Sequence, residues 1–139
     1  MAYTRSESQT LQQILQELSQ LDQAGDIPRR IVLSRQALEM LSRKEQPELW
    51  AFLQVELANI LVQSPLGDRS ESIDLAIGHY QQALQVYTRA AFPEEWANIQ
   101  NNLGNANTNR ILGERAENLE RAIQALPASA GDSYSRSLR

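Results

Sequence analysis

The chain contains no cysteine, which excludes disulfides, thiolate nucleophiles and zinc–thiolate sites. It has a single histidine, His79. Metal sites need several converging ligands, so no metal or cofactor is expected, and His79 reads as a solvent-facing helix position. Aromatic residues make up only 6%, leaving aliphatic side chains and Ala to supply most of the packing. That balance favours closely stacked helices over a β-sandwich, whose strands need more Val, Ile, Thr and aromatics. No apolar run approaches the length of a membrane span, and the most apolar segment, Trp50 to Val62, is interrupted by Gln54, Glu56 and Asn59. The N-terminal MAYTRSESQTLQQ lacks the apolar core of a signal peptide. Lys and Arg (13) are outnumbered by Asp and Glu (17) and scattered among them, for a net charge of -4. Phosphate binding needs a clustered basic footprint, so nucleic acid is not the expected ligand. No glycine-rich phosphate loop, Ser-His-Asp set or Walker motif occurs. Glu94 and Glu95, and the Glu114/Glu117/Glu120 group, read as charges that complement helix dipoles and solvate a face. The expectation is a soluble cytoplasmic protein that is not an enzyme, with neither nucleic acid nor membrane as a partner.

What the chain does have is an internal repeat. Residues 47–77 and 93–123 match at a shift of 46: Pro47/Pro93, Glu48/Glu94, Trp50/Trp96, Ala51/Ala97, Gln54/Gln100, Leu57/Leu103 and Asn59/Asn105. The same shift pairs Leu66/Leu112, Gly67/Gly113, Arg69/Arg115, Glu71/Glu117, Ala76/Ala122 and Ile77/Ile123. Fixed-period self-similarity is the mark of a repeat architecture. With 139 residues and 42% hydrophobic content, the chain suits one domain with a real core.

Apolar spacing predicts six helices in three hairpins. Leu11, Ile14, Leu15, Leu18 and Leu21 give the first, over Thr10 to Leu21, one apolar face; Gly25 suits its left-handed cap. Asp26 and Pro28 open the second, which runs to about Arg43. Pro47 and Glu48 open the third, which ends around Ser64-Pro65 with a turn at Gly67-Asp68. Asp68 followed by Glu71 predicts a capped start for the fourth, extending to roughly Thr88. Pro93-Glu94-Glu95 opens the fifth and Gly113 is expected to break it. The sixth begins near Arg115, with Leu119, Ala122, Ile123 and Leu126 on one face, and stops at Pro127. The domain is thus expected over 1–127, in units 6–45, 47–91 and 93–126, followed by a flexible tail over 128–139, which is small, polar and aperiodic.

These residues resemble the tetratricopeptide repeat. Its Leu-Gly in helix A is met by Leu103-Gly104 and, with Ala for Gly, by Leu57-Ala58. Its helix-B pattern is met by Ala76, Tyr80, Ala83 and Leu84. Small residues at Gly104, Ala76 and Ala83 let helices approach closely, while Tyr80 fills the space between hairpins. The period departs from the family's ~34 residues, implying elongated helices or stretched loops. The text is also similar to long-period bacterial arrays found beside caspase-like peptidase domains, none of which is present here. HEAT and armadillo repeats match the period better, but the Leu-Gly and Ala-Tyr-Ala-Leu pattern decides for the tetratricopeptide type. The resemblance implies an all-α, right-handed solenoid that binds proteins.

One helix face then stands out. Asn98, Asn102, Asn105 and Asn109 recur at i, i+4, i+7 and i+11, with Asn101 and Thr108 beside them. Asn is a poor helix former, and a merely solvated face would use Glu, Lys, Gln or Arg. In the resembled family helix A lines a concave groove, and an Asn just after Leu-Gly holds a bound peptide's backbone; Asn59 and Asn105 stand there. The expected groove comprises Asn59, Asn98, Asn101, Asn102, Asn105 and Asn109, with Glu56 and an apolar patch of Phe52, Val55 and Val62. The opposing reading is a stripe that faces solvent or bonds within the array. The basic residues of a carboxylate clamp are missing, Val55 and Asn101 occupying one such place. Trp50 and Trp96 are expected to pack on the preceding hairpin rather than to anchor a ligand. A short sixth helix would leave Ile99, Leu103 and Ala106 thinly covered. Two alternatives to the groove therefore stay open: an assembly module that self-associates through its ends as a homo-oligomer, or a non-catalytic regulator of a separately encoded peptidase.

Overall fold

A computed structural model of the chain describes residues 5–21, 26–64 and 67–126. They form five helices and no strand: α1 (Arg5–Gln20), α2 (Ile27–Met40), α3 (Pro47–Gln63), α4 (Arg69–Ala83) and α5 (Pro93–Ala125). The sequence explains the starts. α2, α3 and α5 carry Pro in their first turn, where its missing N–H leaves no bond unmade. In the two clear repeats the carbonyl before that Pro accepts from the Trp amide, Gln46 O from Trp50 N (3.0 Å) and Phe92 O from Trp96 N (2.9 Å). α4 starts differently, with Asp68 accepting from the amides of Ser70 (2.9 Å) and Glu71 (3.4 Å), the cap that its position predicts.

Each helix packs on the next in the chain. Between α3 and α4, Arg69 reaches Val62 O, His79 meets Gln54, and Tyr87 reaches Glu48 O. One number rises as the other falls, so the pair is antiparallel. Asp74–Arg110 and Ser70–Glu117 show the same for α4 and α5. Ala51, Leu57, Ala58 and Leu61 of α3 meet Ala76, Tyr80 and Ala83 of α4 in the central core, closed by Ile99 of α5. Leu11, Ile14, Leu33, Ala37 and Leu53 form a second cluster joining α1, α2 and α3. Tyr80 is 2% exposed and is buried where α3, α4 and Ile99 of α5 meet.

The break expected at Gly113 is absent. α5 runs without interruption from Pro93 to Ala125, so the chain has five helices among the described residues instead of six, and no third hairpin. The reason lies in the turn. The α3–α4 connection reads Ser64-Pro65-Leu66-Gly67-Asp68; its copy reads Arg110-Ile111-Leu112-Gly113-Glu114. The proline, which cannot continue a helix, and the capping Asp have both become helix formers. Gly67 takes a positive φ of 72° and Gly113 does not; one glycine alone costs a helix only about 1 kcal/mol. Arg110–Glu114, at i, i+4, bridges the would-be turn at 3.4 Å. Elsewhere the boundaries move slightly: α2 ends at Met40 and α4 at Ala83, shorter than expected. The extra length of the repeat is taken up by long helices and the 84–92 connection. The tail over 128–139 lies outside the described residues.

Replacing Leu57, fully buried, with Ala is expected to cost about 2–5 kcal/mol in a urea melt. Asp68→Ala is expected to cost roughly 0.5–2 kcal/mol for the lost cap. Glu114→Ala, in mid-helix, is expected to stay within about 0.5 kcal/mol. Equal costs at Asp68 and Glu114 would contradict this account of where the chain turns.

Candidate functional site

On one side of the molecule three hollows follow each other across α1, α3 and α5. The first, about 290 Å³, lies between Leu15, Leu18 and Leu21 on one side and Phe52, Glu56 and Ile60 on the other. The second, about 120 Å³, is shared by Phe52, Val55 and Glu56 with Tyr87, Glu95, Asn98 and Asn102. The third, about 130 Å³, is lined by Asn59, Val62, Gln63, Tyr80, Asn102 and Asn105. Phe52 and Glu56 border the first two and Asn102 the last two, so the hollows adjoin in a row, a furrow divided into compartments. Its compartments fall below the ~300–1,000 Å³ of an enclosed small-molecule site, a shape suited to individual side chains of a longer ligand.

Of the residues expected to form a groove, Phe52, Val55, Glu56, Asn59, Val62, Asn98, Asn102 and Asn105 come together in this furrow. Two do not. Asn101 is exposed and lines none of the three hollows. Asn109 borders a separate hollow of about 410 Å³, with Asp68, Arg69, Leu112 and Glu117, where α5 passes the start of α4. The furrow also takes in residues that sequence reasoning did not assign to it: Leu15 and Leu18 of α1, Tyr80, Tyr87 and Glu95. Apolar spacing puts Leu15 and Leu18 on a packed face, and nothing in it distinguishes the edge of a core from the wall of a furrow.

Hydrogen bonding sets the polar end. Asn59 Oδ1 accepts from the Tyr80 hydroxyl and from Asn102 Nδ2 at 3.4 Å. Burial, and then the charge of Glu56, push the Tyr80 phenol up to about 12, with the nearby Asn102 amide acting the other way. A phenol so placed stays protonated and donates, which fixes the Asn59 oxygen inward. Among the described residues no acceptor meets the Asn59 Nδ2. The amide is thus half committed to the fold, and its free donor lies beside two further amides. Tyr87 is raised likewise by burial and then by Glu95 and Glu48.

His79 is not solvent-facing. It is half-buried, with Nδ1 2.6 Å from Oε1 of the buried Gln54. Burial, and then the charge of Arg35, lower its pKa from 6.5. The two tryptophans are half-buried, each beneath an arginine of the preceding connection: Arg43 over Trp50 (5.8 Å) and Arg89 over Trp96 (5.4 Å), a repeated cation–π pair. Trp50 packs on both main core clusters, while Trp96 belongs to none of the described clusters. No group of three or more His, Asp or Glu able to hold a metal occurs among the described residues, and no described helix is long and apolar enough to cross a membrane.

The lowered pKa of His79 has a consequence for stability. Between its folded value and 6.5 the unfolded chain binds more protons, so stability falls as pH drops through that window. A His79→Gln variant is expected to show a flatter stability profile below pH 6.5 than the wild type in urea melts across pH; identical profiles would remove His79 as the cause. The chain matches no protein-family model, no curated protein and no solved structure.

Proposed function

We propose that the chain is a tetratricopeptide-like interaction scaffold that holds an extended peptide segment of a partner protein in the α1–α3–α5 furrow. In this reading α1, α3 and α5 are the first helices of successive units, and the distal part of α5 carries the sequence of a final second helix but continues straight instead of folding back. The observation that carries it is the adjacency of the hollows: an apolar stretch around Phe52, itself 51% exposed, neighbours a cluster of three amides. An amide both donates and accepts, so Asn59, Asn102 and Asn105 match the N–H and C=O groups of a peptide backbone at no charge cost. Phe52 and Val55 offer contact to an apolar side chain, and Glu56 and Glu95 at the same hollow favour a neighbouring Lys or Arg. The preferred ligand is therefore an apolar residue flanked by a basic one. Binding is static display: the furrow exists without the ligand and no bond is made or broken.

The test is affinity capture from native lysate with wild type, with Asn98→Ala/Asn105→Ala, and with Phe52→Asp. Each lost hydrogen bond is worth about 0.5–1.5 kcal/mol, so the double-Asn variant is expected to weaken a recovered partner by roughly 5- to 100-fold at an unchanged melting temperature. Asn59 is left intact because its substitution would also strip an acceptor from buried Tyr80. Partners that bind both variants as tightly as the wild type would place recognition elsewhere on the molecule.

A further inference from the structure

The exposed large apolar side chains concentrate on one stretch of the chain. Ile111, Leu112, Leu119, Ile123 and Leu126 all lie open, Leu119 at 63% and Ile123 at 60%. α5 passes the start of α4 where Ser70 meets Glu117, and beyond that point no described helix covers it. Contiguous apolar surface of this kind marks an interface, and the internal repeat indicates its occupant. Residues 115–126 are the copy of α4, with Leu119, Ala122 and Ile123 standing for Ile73, Ala76 and Ile77. α4 lies on α3 at Ala51 and Ala58, both completely buried. Their copies on α5, Ala97 and Gly104, are exposed, and a Cβ added at Gly104 meets nothing within 4 Å. The chain therefore carries both halves of a helix–helix contact. The straight α5 keeps them apart: Gly104 and Ala122 are separated by roughly 27 Å along the axis at 1.5 Å per residue.

We infer that α5 pairs antiparallel with α5 of a second copy of this chain, residues 115–126 of each supplying the helix that the other lacks. The direction follows from the pair already formed. Shifted by 46 residues, the facing partners Val62/Arg69 and Gln54/His79 become Thr108/Arg115 and Gln100/Ala125, whose midpoints fall on either side of Leu112. A two-fold axis there satisfies both halves at once and closes the assembly at two chains. Ala97, Gly104, Leu112, Leu119 and Leu126 share one helical face, opposite buried Ile99 and Ala106. Antiparallel pairing sets the large distal side chains on the small proximal ones; parallel pairing would set Leu on Leu and leave Gly104 facing Gly104. The hinge is the lost turn: with Pro65 and Asp68 replaced by Ile111 and Glu114, the hairpin closes between chains instead of within one. Asn102 lies well off this seam, whereas Asn105, next to Gly104, borders it, so the dimer and the furrow adjoin at that residue.

Light scattering and sedimentation of the full chain at increasing concentration are expected to give twice the 15.7 kDa chain mass; a monomer throughout overturns the proposal. Gly104→Glu adds a side chain into open space and is expected to weaken dimerisation at least tenfold with the helical signal retained. Ile111→Pro/Glu114→Asp restores the turn and is expected to yield a folded monomer. A dimer that persists in both variants excludes the exchange. Because the chain has no cysteine, Gly104→Cys and Ala122→Cys can be placed on separate chains and mixed. They are expected to form an interchain disulfide, whereas oxidation of the double variant within a monomer would show the hairpin closing on itself and overturn the inference.

Discussion

The close approach of α3 and α4 is the contact on which the other elements depend. It requires small side chains on both helices, and Ala51, Ala58, Ala76 and Ala83 are each wholly buried there. Once the backbones lie that near, the space between this helix pair and α5 has a fixed width, and Tyr80 fills it with its hydroxyl on Asn59. Ile99 and Ala106 of α5 then have a surface to settle against, in the central core and beside Ile73 and Ile77. A larger residue at any of the four alanines would separate the helices, free Tyr80 from its slot and misalign α5. One tight contact thus sets both the core and the wall of the furrow.

Several buried and half-buried polar groups tie the helices together. Gln54 and His79 tie α3 to α4 at 2.6 Å, and the neutral imidazole that burial favours suits this position because a charged one would lack water. Tyr80 and Asn59 tie α4 to α3 at the foot of the furrow, where Asn102 joins from α5. No buried side-chain polar atom among the described residues is left without a hydrogen-bond partner. Asn59 and Asn102 are thereby held in place by the fold itself, while Asn105 stays exposed. The surface ion pairs, such as Arg29 with Glu17 at 2.9 Å, are half-exposed on both sides and contribute little by comparison.

Much of this was legible in the residues. The 46-residue shift, the Pro–Trp starts and the Asp68 cap identify helices and most of their ends, because each signal is local and its physics is satisfied within one turn. The apolar patch and most of the Asn stripe also fall where helical spacing puts them, since positions sharing a face of one helix need no knowledge of its neighbours. His79 was misread for the opposite reason. Its partner Gln54 is 25 positions away, and whether a half-polar position on a helix meets water or another helix depends on what packs over it. Asn101 sits between furrow residues along α5 but points about 100° away from Asn102, and Asn109 lies beyond them, at the hollow beside the start of α4.

By itself the sequence determined an all-helical chain, a 46-residue internal repeat and the residues at which most helices begin, because composition, capping and periodicity act over a few residues. Only the tertiary structure decided that α5 continues through Gly113, that Phe52 and Glu56 join hollows on both sides, and that Asn59 already serves the fold as well as the furrow. The first was settled at the turn itself, where the glycine's weak preference lost to flanking helix formers, with the half-exposed Asp74–Arg110 pair adding little. The other two depend on groups distant in the chain, whose packing a linear pattern does not record.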